Sequence, residues 1–231
     1  MRKVIVNFSG GKDSTVAILE ALKVYPKDEI MLCYQDTGAE YLETDSHTKL
    51  IASILDLPLV TIKPNRDFWQ EVQFRGYFPT PDCRSCTEML KIHTFQKWFN
   101  SVKYGYDEII VVFGKRAEES LARRKLTEWH TDKYLTTKAI EPKIWNPCLE
   151  MTEKEVYARI EAEGLPLHPC YEFSRRCSCW CCIFQHPNVV RTYAEMHPDL
   201  YEKACLVEDE IKHKWKEHFA INDLMKQGRL I

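Results

Sequence analysis

The chain has 231 residues, 45% of them hydrophobic, and a formal net charge of −2. That length suits one large α/β domain, or a domain with a helical extension, and no stretch approaches a membrane span. The near-neutral charge balance excludes a global pull toward nucleic acid, so such a partner would need a local patch.

The apolar run Val4-Ile5-Val6-Asn7-Phe8 predicts a first strand over 3–8, and the amphipathic stretch after it a helix over 13–24. Opening on a strand, the chain shows no secretory leader, and a cytoplasmic location is expected. Further strands are expected at 30–35, 58–62 and 108–113, with helices at 41–56 and 87–100. This alternation calls for a Rossmann-like parallel sheet with right-handed crossovers and helices on both faces. Ligands of such sheets sit beyond the carboxyl ends of the strands. Past residue 145 the character changes. Thr152 with Glu155 makes a capping box for a helix running to about Glu163, which Gly164 and Pro166 end. An irregular cysteine-rich stretch follows, then helices at about 188–196 and 199–216. The expected organisation is a nucleotide-binding domain over 1–150 and a cysteine-rich, helical subdomain over 151–231, folded back on it.

Residues 9–14 read Ser-Gly-Gly-Lys-Asp-Ser. Between a strand and a helix, such a turn presents unpaired backbone N–H groups that can hold a phosphate or pyrophosphate. Gly10 and Gly11 permit the tight backbone. Lys12 adds charge, and the hydroxyls of Ser9 and Ser14 can donate to oxygens. Asp13 would cap the helix or hold Mg²⁺. A Walker A loop is excluded, because it needs four residues between its first glycine and the Gly-Lys pair.

The loop resembles instead the PP-loop of the N-type ATP pyrophosphatases, which cleave ATP between its α and β phosphates. Two further segments narrow the likeness. Gln35-Asp36-Thr37-Gly38 with Glu43-Thr44, and Gly114-Lys115-Arg116 with Glu118, Ser120 and Arg123, are similar to segments of the phosphoadenosine phosphosulfate (PAPS) reductase family. The resemblance covers roughly residues 1–185 and implies an adenine nucleotide alpha hydrolase-like fold. It also implies that Asp36, Thr37 and Gly38 line the adenosine pocket, and that Arg116 and Arg123 hold the anionic end of the nucleotide. Guanidinium–phosphate pairing suits that role. Arg124 and Lys125 are read as surface charge or polyanion contacts. Pro147-Cys148-Leu149-Glu150-Met151-Thr152 resembles a structural segment of the same family.

Ten cysteines are many, and Cys170, Cys177, Cys179, Cys181 and Cys182 crowd together. Such crowding without a leader favours metal or redox chemistry over a disulfide framework. Two Cys-x-x-Cys pairs, Cys83/Cys86 and Cys179/Cys182, can each offer two thiolates to one metal, with Cys177 or Cys181 as replacements for Cys83. Spacing does not separate zinc from an iron–sulfur centre; plain thiols or a Cys181–Cys182 bond are the bland alternatives. The resemblance to DNA-phosphorothioation sulfurtransferases and adenylyl-sulfate reductases implies a [4Fe–4S] cluster. Cys33, Cys148 and Cys205 are read as ordinary packed residues, His168 as a structural loop histidine, and Phe68, Trp69, Trp98 and Phe99 as core.

PAPS reductases carry a catalytic cysteine in a short C-terminal tail, Glu-Cys-Gly-(Ile/Leu)-His, which this sequence lacks. The expected activity is therefore an ATP pyrophosphatase, with Lys12, Asp13 and Arg116 as its catalytic residues, that adenylates an acceptor for sulfur or nitrogen transfer. The alternatives are a sulfonucleotide reductase using Cys177 or Cys181, and a non-catalytic nucleotide sensor. Expected cofactors are ATP, Mg²⁺ and the [4Fe–4S] cluster, or Zn²⁺ in its place. Expected partners are the nucleotide and an acceptor, either nucleic acid or a small molecule, with no membrane. A sulfur-donor protein and a homo-oligomer stay open.

Overall fold

The computed structural model describes residues 1–138 and 140–226. The expected tail-less ending at 227–231 lies outside the described residues. The strands are β1 (Arg2–Asn7), β2 (Ile30–Gln35), β3 (Leu59–Ile62), β4 (Glu108–Phe113), β5 (Trp129–Thr131) and β6 (Lys143–Trp145). They form one sheet in the order β3-β2-β1-β4-β6-β5, parallel throughout except for β5 against β6. The helices are α1 (Lys12–Val24), α2 (Glu43–Leu55), α3 (Phe68–Arg75), α4 (His93–Val102), α5 (Glu153–Ala162), α6 (Pro187–Met196) and α7 (Pro198–Ile211). This is the α/β, Rossmann-like architecture expected from the alternation, with a helical C-terminal region.

The strand pleat divides the apolar side chains between two faces. Val4 and Val6 of β1, with Ile110 and Val112 of β4, pack against α1, α2 and α5. Ile5, Ile109 and Val111 point the other way, onto Phe95 and Phe99 of α4. A third core joins Tyr41, Phe68, Trp69, Phe78 and Leu90 to Cys170, Trp180, Tyr193, Val207 and Trp215. It ties the C-terminal region to α3 at the carboxyl end of the sheet.

The structure adds three elements and alters two. The strands β5 and β6 were not expected; three residues each is too short for a period-2 signal. They are pinned by Trp129 and Trp145, register partners that stack with centroids 5.1 Å apart. Helix α3 was also missed. Its signature is local, since Asp67 and Gln70 form a capping box and Gly76 closes the helix at φ 72°. The helix expected over 87–100 opens instead as a π-helical stretch, Cys86–Ile92, before α4. The helix expected over 199–216 stops at Ile211, where Lys212 turns left-handed at φ 53°. There the buried carboxylate of Glu208 takes over, accepting from the backbone N–H groups of Trp215, Ile221 and Asn222.

Candidate active site

The 9–14 loop leaves β1 at its carboxyl end. Gly10 has φ 79°, a left-handed conformation that favours glycine. Helix α1 is not capped by Asp13; its N-cap is Gly11, with no side-chain cap. The Ser14 hydroxyl instead donates to the Gly11 carbonyl at 2.8 Å and accepts the Ser9 N–H at 3.2 Å, which fixes the turn.

Asp13 organises the cations. Its Oδ2 lies 3.0 Å from Lys12 Nζ and its Oδ1 2.5 Å from Arg116 Nε. Lys12 is 4% exposed and Arg116 4%. Burial opposes the charge of Arg116, but Asp13 and then Glu118 hold its pKa above the ordinary value. Lys12 Nζ also lies 3.3 Å from Glu153 at the start of α5, and under 6 Å from the ring centroids of Tyr157 and Tyr171. The second wall of the site packs flush on the loop. A Cβ added to Gly114 would fall 2.4 Å from the Asp13 carbonyl oxygen and 2.6 Å from Ser14 N. Arg123 pairs with Glu119, and Arg124 and Lys125 are exposed.

The Asp36-Thr37-Gly38 turn follows β2. Asp36 accepts the Gly38 N–H at 3.0 Å and pairs with Lys63 at 2.8 Å. Glu40 accepts from the N–H and hydroxyl of Thr37, so this turn is held by its own side chains.

The cysteine-rich segment lies on the loop. The Lys12 N–H donates to the Tyr171 hydroxyl at 2.9 Å. A Cβ on Gly11 would come within 3.2 Å of Cys177 Cβ. Ligand atoms of His168, Cys170 and Cys177 all lie within 4.8 Å of one another. The ring of His168 is nevertheless occupied. Its Nδ1 accepts the Cys170 N–H at 3.0 Å, which leaves the proton on Nε2, facing Thr44 Oγ1 at 3.0 Å. A ring used at both nitrogens does not fit a metal, and His168 is a structural histidine here. Cys170 and Cys177 remain as a facing dithiol, with the Cys170 thiol pushed up by its contact with Cys177 and by burial. Mild peroxide oxidation is expected to join them. Mass spectrometry of non-reduced peptides should find a Cys170–Cys177 cross-link, and a dominant Cys179–Cys182 or Cys181–Cys182 link would contradict this.

Of the four cysteines expected to hold a metal, Cys86, Cys179 and Cys182 interact with one another and with Lys91. Desolvation opposes the charge on Lys91, yet Cys179, Glu40, Cys86 and Cys182 lift its pKa above the ordinary value. Cys83 is exposed, with its sulfur 3.6 Å from the Tyr77 hydroxyl. Cys33 and Cys148 are buried, and Cys148 Sγ approaches the Asp13 carbonyl at 3.7 Å.

Sequence reasoning missed Tyr171, Tyr157, Glu153 and Cys148 as neighbours of the loop. No local pattern marks them, because each reaches the loop across more than 130 residues of chain. Two cavities, of about 480 and 490 Å³, lie elsewhere: one among Tyr25, Trp129 and Lys143, the other among Lys63, Arg66, His93 and Trp98. Neither is lined by the 9–14 loop.

A profile of the phosphoadenosine phosphosulfate reductase domain family matches residues 3–183. The chain belongs to this family. An uncharacterized protein of Methanocaldococcus jannaschii, MJ0973, is 29% identical over 222 residues, covering 91% of this chain and 51% of its own length. A second from that organism, MJ0066, is 28% identical over 204 residues, covering 87% of this chain and 40% of its own. The chain thus spans about half the length, or less, of these curated relatives. Among solved structures, the PAPS reductase of Candida auris in a phosphate complex superposes with a TM-score of 0.52 at 16% identity, over 74% of this chain and 77% of that one. The FMN adenylyltransferase of Candida glabrata with FAD and inorganic pyrophosphate gives a TM-score of 0.50 at 13% identity, over 74% and 52%. At these identities the likeness is one of fold. Among the described residues, no helix is long and apolar enough to cross a membrane.

Proposed function

We propose that this protein is an ATP pyrophosphatase that adenylates an acceptor, preparing it for displacement of AMP by a sulfur or nitrogen nucleophile. The observation that carries the reading is the buried chain Lys12–Asp13–Arg116, which joins the glycine loop to the Gly114 wall. Two cations held on one carboxylate are pre-set where negative charge would grow on departing pyrophosphate. Ser9, Gly10, Gly11, Lys12 and Ser14 would cradle the β and γ phosphates. The Tyr171 hydroxyl holds the Lys12 N–H until a phosphate oxygen takes its place. Arg116, with Arg123, would face the α-phosphate or the acceptor, and Asp36, Thr37 and Gly38 the adenosine.

Mg²⁺ takes oxygen ligands, and both oxygens of Asp13 are already given to cations. The metal would therefore enter on the ATP phosphates, with no protein ligand assigned. Cys86, Cys179 and Cys182 interact electrostatically and with Cys83 would offer, once drawn together, a soft donor set of the kind iron–sulfur or zinc takes. Among the described residues, only His168, Cys170 and Cys177 have ligand atoms within 4.8 Å of one another. Such a centre, when bound, would supply a sulfur-binding iron or a structural tie between the π-helical segment and the cysteine-rich loop.

The test is the fate of ATP labelled at its α-phosphate, incubated with candidate acceptors. Labelled AMP or an AMP adduct, with pyrophosphate, is expected; ADP and inorganic phosphate would overturn the reading. Lys12→Met keeps the packing between Tyr157 and Tyr171 but removes the charge. It is expected to lower AMP formation by about 10²–10³ with the fold intact by circular dichroism. A second reading draws on Cys177, which sits against Gly11: a sulfonucleotide reductase attacking through that thiol. Sulfite release from PAPS with a dithiol reductant would favour it over adenylation.

A further inference from the structure

The mouth of the site carries more positive charge than a nucleotide needs. Arg123 feels the positive charges of Arg176, Arg116 and Arg84, and Lys115 feels that of Arg123. Gln185, next to Phe184, donates to the Arg176 carbonyl at 3.5 Å, and Cys177, next to Arg176, packs on Gly11 of the loop. The cations come from four separate stretches of chain: the segment before the π-helix, the loop after β4, the 3₁₀ turn that follows it, and the cysteine-rich loop. Arg116 and Arg123 are neutralised by Asp13, Glu118 and Glu119. Arg84 and Arg176 are exposed, and neither has a carboxylate within ion-pair distance among the described residues. Arg175, Arg124 and Lys125 beside them are exposed as well. Arg84 lies over the ring of Phe184 at 5.3 Å, and that ring is 46% exposed.

Cations in excess of their counter-charges destabilise a surface. In a chain of net charge −2, such a convergence indicates an anionic ligand. The phosphates of ATP are already provided for by the 9–14 loop and Lys12. The excess cations therefore point to a second polyanion that enters beside the nucleotide. Its acidic groups must repeat at a spacing that reaches from Arg84 to Arg123. An exposed aromatic ring with a guanidinium on its face is also a platform on which a base can stack.

We infer that the acceptor is a nucleic-acid strand, held by its sugar–phosphate backbone across Arg84, Arg176 and Arg123 with a base against Phe184; the inference rests on the adenylation reading and names its acceptor. DNA and RNA share this chemistry. The cluster holds the strand, and the nucleotide to be modified reaches into the cleft over the 9–14 loop.

The experiment is fluorescence anisotropy of labelled single-stranded DNA and RNA oligonucleotides of one sequence, over a salt series, with the full chain. Binding is expected to weaken steeply with salt. The Arg84→Ala/Arg176→Ala double variant is expected to lower the slope of log K against log salt by about 1.4, from two lost single-strand phosphate contacts. Its ATP affinity should match wild type, because neither arginine belongs to the loop site. Tighter binding of RNA or of DNA identifies which strand is the acceptor. The inference is overturned if neither oligonucleotide binds, if an acidic peptide of equal charge binds as tightly, or if the double variant keeps the wild-type slope. It is overturned too if the variant loses ATP affinity in step with oligonucleotide affinity. The two readings fail separately. Salt-dependent oligonucleotide binding with ATP cleaved to ADP rejects adenylation but leaves the surface; AMP formation on a small molecule without oligonucleotide binding rejects the surface alone.

Discussion

Gly114→Ala is expected to weaken ATP binding about tenfold to a hundredfold while the protein stays folded. The methyl group would fall 2.4 Å from the Asp13 carbonyl oxygen, 2.5 Å from its carbonyl carbon and 2.6 Å from Ser14 N. All three are backbone atoms of the first turn of α1, so no side chain can swing aside. Either the loop or the strand end must move. Overpacking of this kind costs about 1–3 kcal/mol; taken from the bound geometry, that is about fivefold to 150-fold in affinity, which brackets the stated range. A shift of about 1 Å in a catalytic group can also cost a hundredfold in rate. Global stability should suffer less: for a chain of this length, 1 kcal/mol lowers the melting temperature by about 2–4 °C. Titration calorimetry with ATP, beside a thermal melt, separates the two effects. Wild-type affinity in the variant would show that the 9–14 loop and the Gly114 wall do not act as one surface.

This position shows what was and was not legible in the sequence. The loop was legible because its chemistry is local: six consecutive residues between a strand and a helix carry the glycines, the lysine and the hydroxyls. The four longer strands were legible because each is an apolar run bounded by turn residues. Gly114 drew notice as part of a motif, but its reason, a backbone contact with Asp13 across 100 residues, is a property of the fold. The same holds for Tyr171, whose hydroxyl meets the Lys12 N–H, and for the pairing of Arg116 with Asp13. Helix α3 was legible and overlooked, since Asp67, Gln70 and Gly76 spell out its start and stop. The π-helical opening at Cys86 was not legible, because a register shift of one residue per turn leaves no mark on an amphipathic pattern this short.

Between pH 7 and pH 5 the protein is expected to lose several kcal/mol of stability, through two buried histidines beside the loop. His47 and His168 are 5% and 1% exposed, with ring centroids 5.0 Å apart. Burial pushes the pKa of each down from the usual 6.5 to about 4, and for His168 the neighbouring His47 adds to the effect while Glu43 opposes it. In the unfolded chain both rings take up a proton near pH 6.5, whereas in the native state they stay neutral until about pH 4. The unfolded state therefore holds more protons throughout this window, and stability falls as pH falls through it. At pH 5 the loss is about 2 kcal/mol for each ring, by the linkage between pKa and stability. The carboxylates of Glu108, Glu118 and Glu155 have pKa values below the ordinary 4.5, so their contributions are lost only at lower pH. Urea unfolding at pH 7 and pH 5 checks the expectation. His47→Leu removes one titrating ring at similar volume and should roughly halve the difference between the two pH values. His168 has the stricter role, because its neutral ring is what joins Thr44 on α2 to the Cys170 backbone below the loop. Protonating Nδ1 would break its bond to the Cys170 N–H, and with it the seating of Tyr171 and Cys177 on the nucleotide cradle. Equal stability at pH 7 and pH 5 would mean that the rings are hydrated in solution and that the cysteine-rich segment is not closed over the loop.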